Sequence, residues 1–185
     1  MIQIRDEIAS DVAARERLLD ACFGPSRFLK TSQRLREGRL PARGLALTAV
    51  RGDKLVGTVR LWDVATGCGR PVLLLGPLAV DPALQGAGLG GTLMRAALAR
   101  AAALGHAAVL LVGDTPYYAR FGFAGERAAG LAMPGPFERE RFLGLDLTAH
   151  ALDGATGTLQ ATGRLAPLPD FAAEAADVAA RRQAA

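Results

Sequence analysis

Alternating, continuous and helically spaced apolar positions divide the chain into recognisable elements. "IQIRDE" alternates near the N-terminus and predicts a short strand. Ser10 or Asp11 then stands at the head of a helix whose apolar positions Val12, Leu18, Leu19 and Cys22 run out at Gly24 and Pro25. "FLKTSQRLREG" predicts a second helix ending at Gly38, and "LALTAV" and "KLVGTVRLWDV" flank the turn "RGD" as the arms of a hairpin. "PVLLLGPLAV" is apolar at both alternating sets of positions, as a strand covered on both faces must be, so it belongs mid-sheet. From Gly88 onward Leu89, Leu93, Ala97 and Leu104 recur near helical spacing up to a stop at Gly105, and "AAVLLV" follows as another buried strand. "GDTPYYARFGF" predicts a short helical turn running into a strand at Phe121 to Phe123. Beyond the loop "AGERAAGLAMPGP", "RFLGLDLTA" is the last strong strand. Strand, helix pair, three strands, helix, strand is the order of an α/β fold with a mixed sheet. One domain is expected over residues 1–165, with the alanine-rich residues 166–185 as a loose helix or disordered tail.

Composition narrows the possibilities. A chain of 185 residues, 50% hydrophobic and 22% charged, is long enough for one domain with a sizeable core. It has no run of about 18 uncharged apolar residues, and "MIQIRDEIAS" lacks the apolar centre of a signal peptide, so a cytoplasmic protein without a membrane partner is expected. Cys22 and Cys68 lie far apart and outside metal-type spacing; neither a disulfide framework nor a metal site is expected, and both thiols should be reduced. The net charge of +4 is mild, yet Arg27, Lys30, Arg34, Arg36, Arg39 and Arg43 face Glu37 alone in their stretch. Such a run suits an anion but reads first as a solvated helix face, and nucleic acid is not an expected partner.

The chemistry concentrates in "PLAVDPALQGAGLGGTLM", residues 77–94. "GAGLGG" satisfies GxGxxG from Gly86 to Gly91, with Asp114 standing after the next strand where a ribose-binding acid would be sought. In a dinucleotide fold, however, the first glycine turns directly off the strand; here "DPALQ" separates Val80 from Gly86, and an antiparallel hairpin precedes the motif. A ligand-free glycine turn is a third reading, although glycines at a helix start cost stability that a plain turn need not spend.

"VDPALQGAGLG" resembles the signature of the Gcn-related N-acetyltransferase (GNAT) superfamily, in which a strand ends near Val-Asp/His-Pro and a Q/RxxGxG/A loop opens the next helix; Gln85, Gly88 and Gly90 match that loop. Small residues there let successive backbone N–H groups point at one spot, and the helix dipole adds partial positive charge. "YYARFGF" is similar to the family's closing motif, with Tyr118 five positions before Phe123. With "RLREG" and "GPLAV", these segments resemble a bacterial branch of predicted acetyltransferases with undefined substrates, over Ile2 to Leu147.

The resemblance implies a mixed, mostly antiparallel α/β sheet with helices on both faces and a splayed central strand pair, and acetyl-coenzyme A as cosubstrate, with no metal. It puts the pyrophosphate on Gln85, Gly86, Ala87, Gly88, Leu89, Gly90 and Gly91, and the pantetheine arm along Leu78, Ala79 and Val80. Backbone N–H groups near Leu78 and Ala79 would hold the oxyanion formed when an amine attacks the thioester; one such donor is worth about 3 kcal/mol. Tyr118 is the implied general acid toward the departing thiolate, with Tyr117 a core or wall residue. The acceptor is a small-molecule or peptide amine, and the protein a monomer or homodimer. A catalytically silent coenzyme A module of the same fold is the alternative. "GDTPYY" is shorter than the corresponding segment of many relatives, whose asparagine contact is not carried over, and the compression leaves room for a longer acyl donor.

An acceptor amine is mostly protonated at neutral pH and must lose a proton before attack. Asp63, Glu126 and Glu138 are candidate bases of a type more often solvated than catalytic. His106 and His150 read as structural or exposed, and Asp81, next to Pro82, as a turn cap. The acceptor pocket is expected between the two N-terminal helices and the 124–139 loop.

Overall fold

A computed structural model describes residues 1–167, so the expected tail lies outside the described residues from 168 onward. In chain order the strands are β1 (Ile2–Asp6), β2 (Ala46–Arg51), β3 (Lys54–Ala65), β4 (Pro71–Val80), β5 (Ala108–Val112), β6 (Leu131–Ala132), β7 (Phe142–Asp146), β8 (Gly157–Thr158) and β9 (Gln160–Ala161). The helices are α1 (Val12–Phe23), α2 (Thr31–Arg34), α3 (Leu89–Ala103) and α4 (Thr115–Ala119). The main sheet runs β1-β2-β3-β4-β5-β7, with β9 added to β3; β6 and β8 form a separate parallel pair.

The uniformly apolar β4 lies between β3 and β5, as its pattern requires. Alternation divides its side chains between two cores. Leu73 and Leu75 join Val109, Leu111 and the α3 residues Leu93, Met94 and Ala97 on one face. Val72 and Leu74 join Ala108, Leu110, Leu131, Leu152 and Leu159 on the other. Leu18 and Leu19 of α1 pack on Leu55 and Ala79. Each fully buried large side chain contributes about 1.5–3 kcal/mol.

Two irregularities of β4 open the sheet. Its parallel pairing with β5 is confined to Leu73–Val109 and Leu74–Leu110, although β4 continues to Val80 and β5 to Val112. Past Leu74 the strands part. On the opposite edge Leu75 faces Leu61 but Leu78 faces Val59, so β4 carries one extra residue around Gly76 and Pro77. Proline has no N–H for a ladder and is accommodated at such a bulge, and Gly76 takes φ 133°, a region L side chains avoid.

Three expectations need correction. The continuous second helix is broken at Lys30, whose extended backbone separates a 3-10 turn over Pro25–Leu29 from the four-residue α2. Burial of Leu35 and the turn at Gly38, φ 67°, then override local helix preference. Phe121 to Phe123 is not a strand, because Gly122 at φ 89° breaks the extension and leaves one bridge, Ala124 to Gly144. Leu104 falls beyond the end of α3 and is exposed, while Ala101 fills the buried position after Ala97.

Candidate functional site

Where β4 and β5 part, a cavity of about 910 Å³ opens, bounded by α1, the segment 25–36, the second half of β4, the start of α3, and α4. A pocket where paired strands diverge is a natural ligand site. The edge of β4 facing it is set by strand parity. The Asp81 N–H donates to Val56 O of β3 at 2.9 Å, so Ala79 and Asp81 are turned to β3 while the backbone groups of Leu78 and Val80 face the gap. Accordingly Val80 O accepts from Cys22 Sγ at 3.3 Å and Gln85 Nε2 at 3.4 Å, both from outside β3. Leu78 and Val80 border the cavity; Ala79, expected beside them, is buried at 3% exposure and its N–H is turned away.

From Val80 the chain passes through a turn in which the Asp81 carboxylate accepts the Ala83 N–H at 3.0 Å and pairs with Lys54 at 2.6 Å, a capping role as expected. Gly86 and Gly88 both take φ 81°, with open space where a Cβ would project. Gly88 caps α3 without any side-chain cap, and the first amide of that turn bonded within the chain is Thr92, donating to Gly88 O at 3.1 Å. The amides of Leu89, Gly90 and Gly91 are left without a partner among the described residues, at the positive end of a 15-residue helix and on residues that border the cavity, an arrangement suited to an anion. Gln85, Gly86, Gly88, Leu89, Gly90 and Gly91 border it; Ala87 does not. A Cβ on Gly90 would stand 2.8 Å from the Tyr117 hydroxyl, so this glycine makes room for that ring.

On the opposite wall Asp114 caps α4, accepting the Tyr117 N–H at 3.2 Å. Tyr118 lies with its ring against Gly113, where a Cβ would come within 2.1 Å of Cε2. Edge contacts to Tyr117 at 4.9 Å and Phe123 at 6.1 Å fix the ring. Burial, with smaller effects from Tyr117 and Asp114, pushes the Tyr118 phenol up to about 12. Its hydroxyl has no hydrogen-bond partner among the described residues.

Asp63, Glu126 and Glu138 do not border the cavity; Glu16 and Asp114 do. Burial raises the Glu16 carboxyl, but its ion pairs with Arg27 and Arg15 outweigh this and hold it below the usual range. The 124–139 loop lies behind the segment 25–36 rather than lining the pocket, tied there by Arg34, which donates to Pro134 O at 2.8 Å. Of the six basic residues, Arg27, Lys30 and Arg36 border the cavity, whereas Arg39 donates to Gly163 O. His106 lies away from the cavity, and the exposed His150 contacts Asp153 at 2.8 Å. Arg60, Arg95, Arg120 and Arg141 complete the basic lining. Arg95 was legible as the residue one helical turn beyond Gly91; Arg60 carries no signal in sequence.

Residues 13–123 match the model of the Acetyltransferase (GNAT) family. The chain belongs to the GNAT acetyltransferase family. It is 32% identical over 158 residues to the uncharacterized N-acetyltransferase YhbS of Escherichia coli K12, covering 85% of this chain and 94% of YhbS. The crystal structure of E. coli YhbS in complex with CoA superposes with a TM-score of 0.74 at 31% identity, covering 87% of this chain and 89% of that one. A GNAT acetyltransferase from Brucella melitensis in complex with acetyl-CoA gives a TM-score of 0.61 at 26% identity, over 92% of this chain and 98% of that one. The GNAT fold, a mixed and mostly antiparallel sheet with helices, is thus that of these structures, which hold CoA and acetyl-CoA. Among the described residues no group of His, Cys, Asp and Glu is placed to hold a metal, and no helix is long and apolar enough to cross a membrane.

Proposed function

We propose that this GNAT protein transfers an acetyl group from acetyl-CoA directly to a primary amine, and that residues 1–165 form the working unit. The observation that carries the reading is the cavity where β4 and β5 part, with the uncapped start of α3 at one end and Tyr118 on its wall. In this reading the amides leading into α3 take the pyrophosphate, and the free edge of Leu78 and Val80 pairs with the pantetheine arm. The Leu78 N–H meets the carbonyl oxygen as it becomes an oxyanion. The neutral amine attacks the thioester carbon, the C–S bond of the tetrahedral adduct breaks with its electron pair leaving on the sulfur, and the extra proton on nitrogen passes to the departing thiolate or to water, giving the amide and free CoA. With Tyr118 far above the ~8.5 of a free thiol, its part is to donate a hydrogen bond to the sulfur as charge develops there. Glu16, held by two arginines, is a weak base, so the acceptor's proton leaves to water before attack.

That weakness also favours a second reading, a silent coenzyme A module. The two part in one assay: thiol release from acetyl-CoA across amino acids, polyamines, aminoglycosides and peptide N-termini, with the product identified by mass. Acceptor-dependent release with an N-acetylated product supports the transferase. Saturable binding of acetyl-CoA without release for any acceptor supports the silent module.

A further inference from the structure

The acceptor half of the cavity has an unusual charge arrangement. Three of its guanidinium groups have acidic partners: Arg27 with Glu16 and Asp20, Arg60 with Glu7, and Arg141 with Glu138. Arg36 has none among the described residues. Its Nε donates to Ser32 O and its Nη2 to Ser32 Oγ, each at 3.1 Å, and Nη1 has no protein acceptor. Lys30 beside it is exposed, makes no ion pair among the described residues though the Glu138 charge acts on it from nearby, and lies over the Phe23 ring at 5.0 Å. Burial, with Arg27 and Arg60 nearby, pushes the Arg36 guanidinium down to about 10; burial, Arg141 and Arg36 push Lys30 down too. A guanidinium withdrawn from water without a counter-charge is costly, and a bound carboxylate relieves that cost with strong charge-assisted hydrogen bonds.

The free Nη1 points toward the place where transfer would occur. It lies 3.9 Å from where a Cβ of Gly76 would project, at the β4 bulge. Leu78, whose N–H faces the gap, is two residues on, just past that bulge, and Leu78 and Arg36 both border the cavity. Trp62 closes this wall, its Nε1 fixed on Gly76 O at 2.6 Å. The cosubstrate's phosphates do not need Arg36, since the start of α3 and Arg95 serve them beyond the other end of β4.

We propose that the acceptor is a primary amine bearing a carboxylate a few bonds away, as in an α- or β-amino acid, and that Arg36 holds this carboxylate while the amine reaches the thioester. This rests on the transferase reading for its chemistry but not for its geometry. Lys30 adds positive field to the same spot, and the carboxylate also orients the amine, because a fork held on Arg36 leaves one direction open.

The test uses matched acceptors with acetyl-CoA: glycine, β-alanine and phenylalanine, their amides, their decarboxylated amines, and phosphoethanolamine as the phosphate arm. The carboxylate-bearing member of a set is expected to exceed its amide in kcat/KM by about tenfold or more. Arg36→Gln should cut kcat/KM for it by about 30-fold or more, mainly through KM, and change that for the amide much less. Arg36→Lys should recover part of the loss, and the melting temperature of Arg36→Gln should not fall. Equal use of amide and acid, preference for phosphoethanolamine, or an equal loss for all acceptors overturns the proposal. If no amine is turned over, calorimetry of N-acetylphenylalanine and its amide on the CoA-saturated protein decides. Tighter binding of the acid, lost in Arg36→Gln, upholds the carboxylate site while the transferase reading fails. Equal binding, or none, overturns the site. Should Arg36→Gln not fold, the wild-type preference and Arg36→Lys decide alone.

Discussion

Tyr118 combines a half-buried ring with a hydroxyl that no protein group claims among the described residues, and this sets its expected signature. Tyr118→Phe keeps the ring against Gly113 and Phe123, so stability and acetyl-CoA affinity should hardly change. Its kcat should fall by about 10² to 10⁴, because the lost hydrogen bond acts on charge present only in the transition state. The pH dependence follows from the raised phenol. The protonated form persists up to about 12, so kcat/KM should rise as the amine deprotonates and show no fall near 10 from Tyr118. A loss of activity with a midpoint near 10, present in wild type and absent in Tyr118→Phe, would give the phenol its ordinary pKa and contradict this environment. The tyrosine came into view only through the family resemblance of "YYARFGF", which the local sequence carries in full. Gly113 was not legible there, because the need for a missing Cβ arises only when α4 folds the ring back over the end of β5. The basic run divides: Arg27, Lys30 and Arg36 border the cavity while Arg34 and Arg43 stay solvated, because a run of charge on a line of sequence does not say which members turn inward, and the break at Lys30 decides that.

At the scale of the element, the start of α3 is the part most fully written in local sequence. Positive φ at Gly86 and Gly88, the absent side-chain cap and the helix dipole are properties of a few consecutive residues, so "QGAGLGG" announces them without the rest of the fold. The bulge in β4 and the short pairing with β5 depend on partners far along the chain; the family resemblance suggested the splay, while the β4 residue pattern only placed the strand mid-sheet. Gly88→Val tests the helix start. A β-branched residue at φ 81° is strained, and its side chain occupies the open space in front of the amides. At a concentration of about 100 times Kd, acetyl-CoA should stabilise the wild type by about 2.7 kcal/mol, raising Tm by about 5–10 °C. Gly88→Val should fold with a lower Tm and lose that increment, and NAD should give none with either protein. An equal shift in wild type and variant would remove the phosphate role from this loop.

Across the whole molecule, one sheet covered on both faces is held together by β3 and the first half of β4, and gives way where β4 leaves β5. The opening joins two chemically distinct halves, helix amides and Arg95 at one end, and the basic pocket of α1 and the segment 25–36 at the other. Two substrates entering from separate ends can meet in one complex, which is the central claim: the acetyl group passes directly from sulfur to nitrogen. The competing route is an acetylated enzyme, and Cys22, whose Sγ donates to Val80 O, is the thiol beside the gap. Burial raises that thiol, with the Val80 carbonyl contact opposing and Asp81 adding to the rise, which leaves it a poor nucleophile at neutral pH. The direct measurement is the initial-velocity pattern with acetyl-CoA varied at several fixed concentrations of an accepted amine. Direct transfer gives reciprocal plots that intersect, with Cys22→Ala retaining the wild-type kcat; parallel plots, with Cys22→Ala inactive, would contradict it.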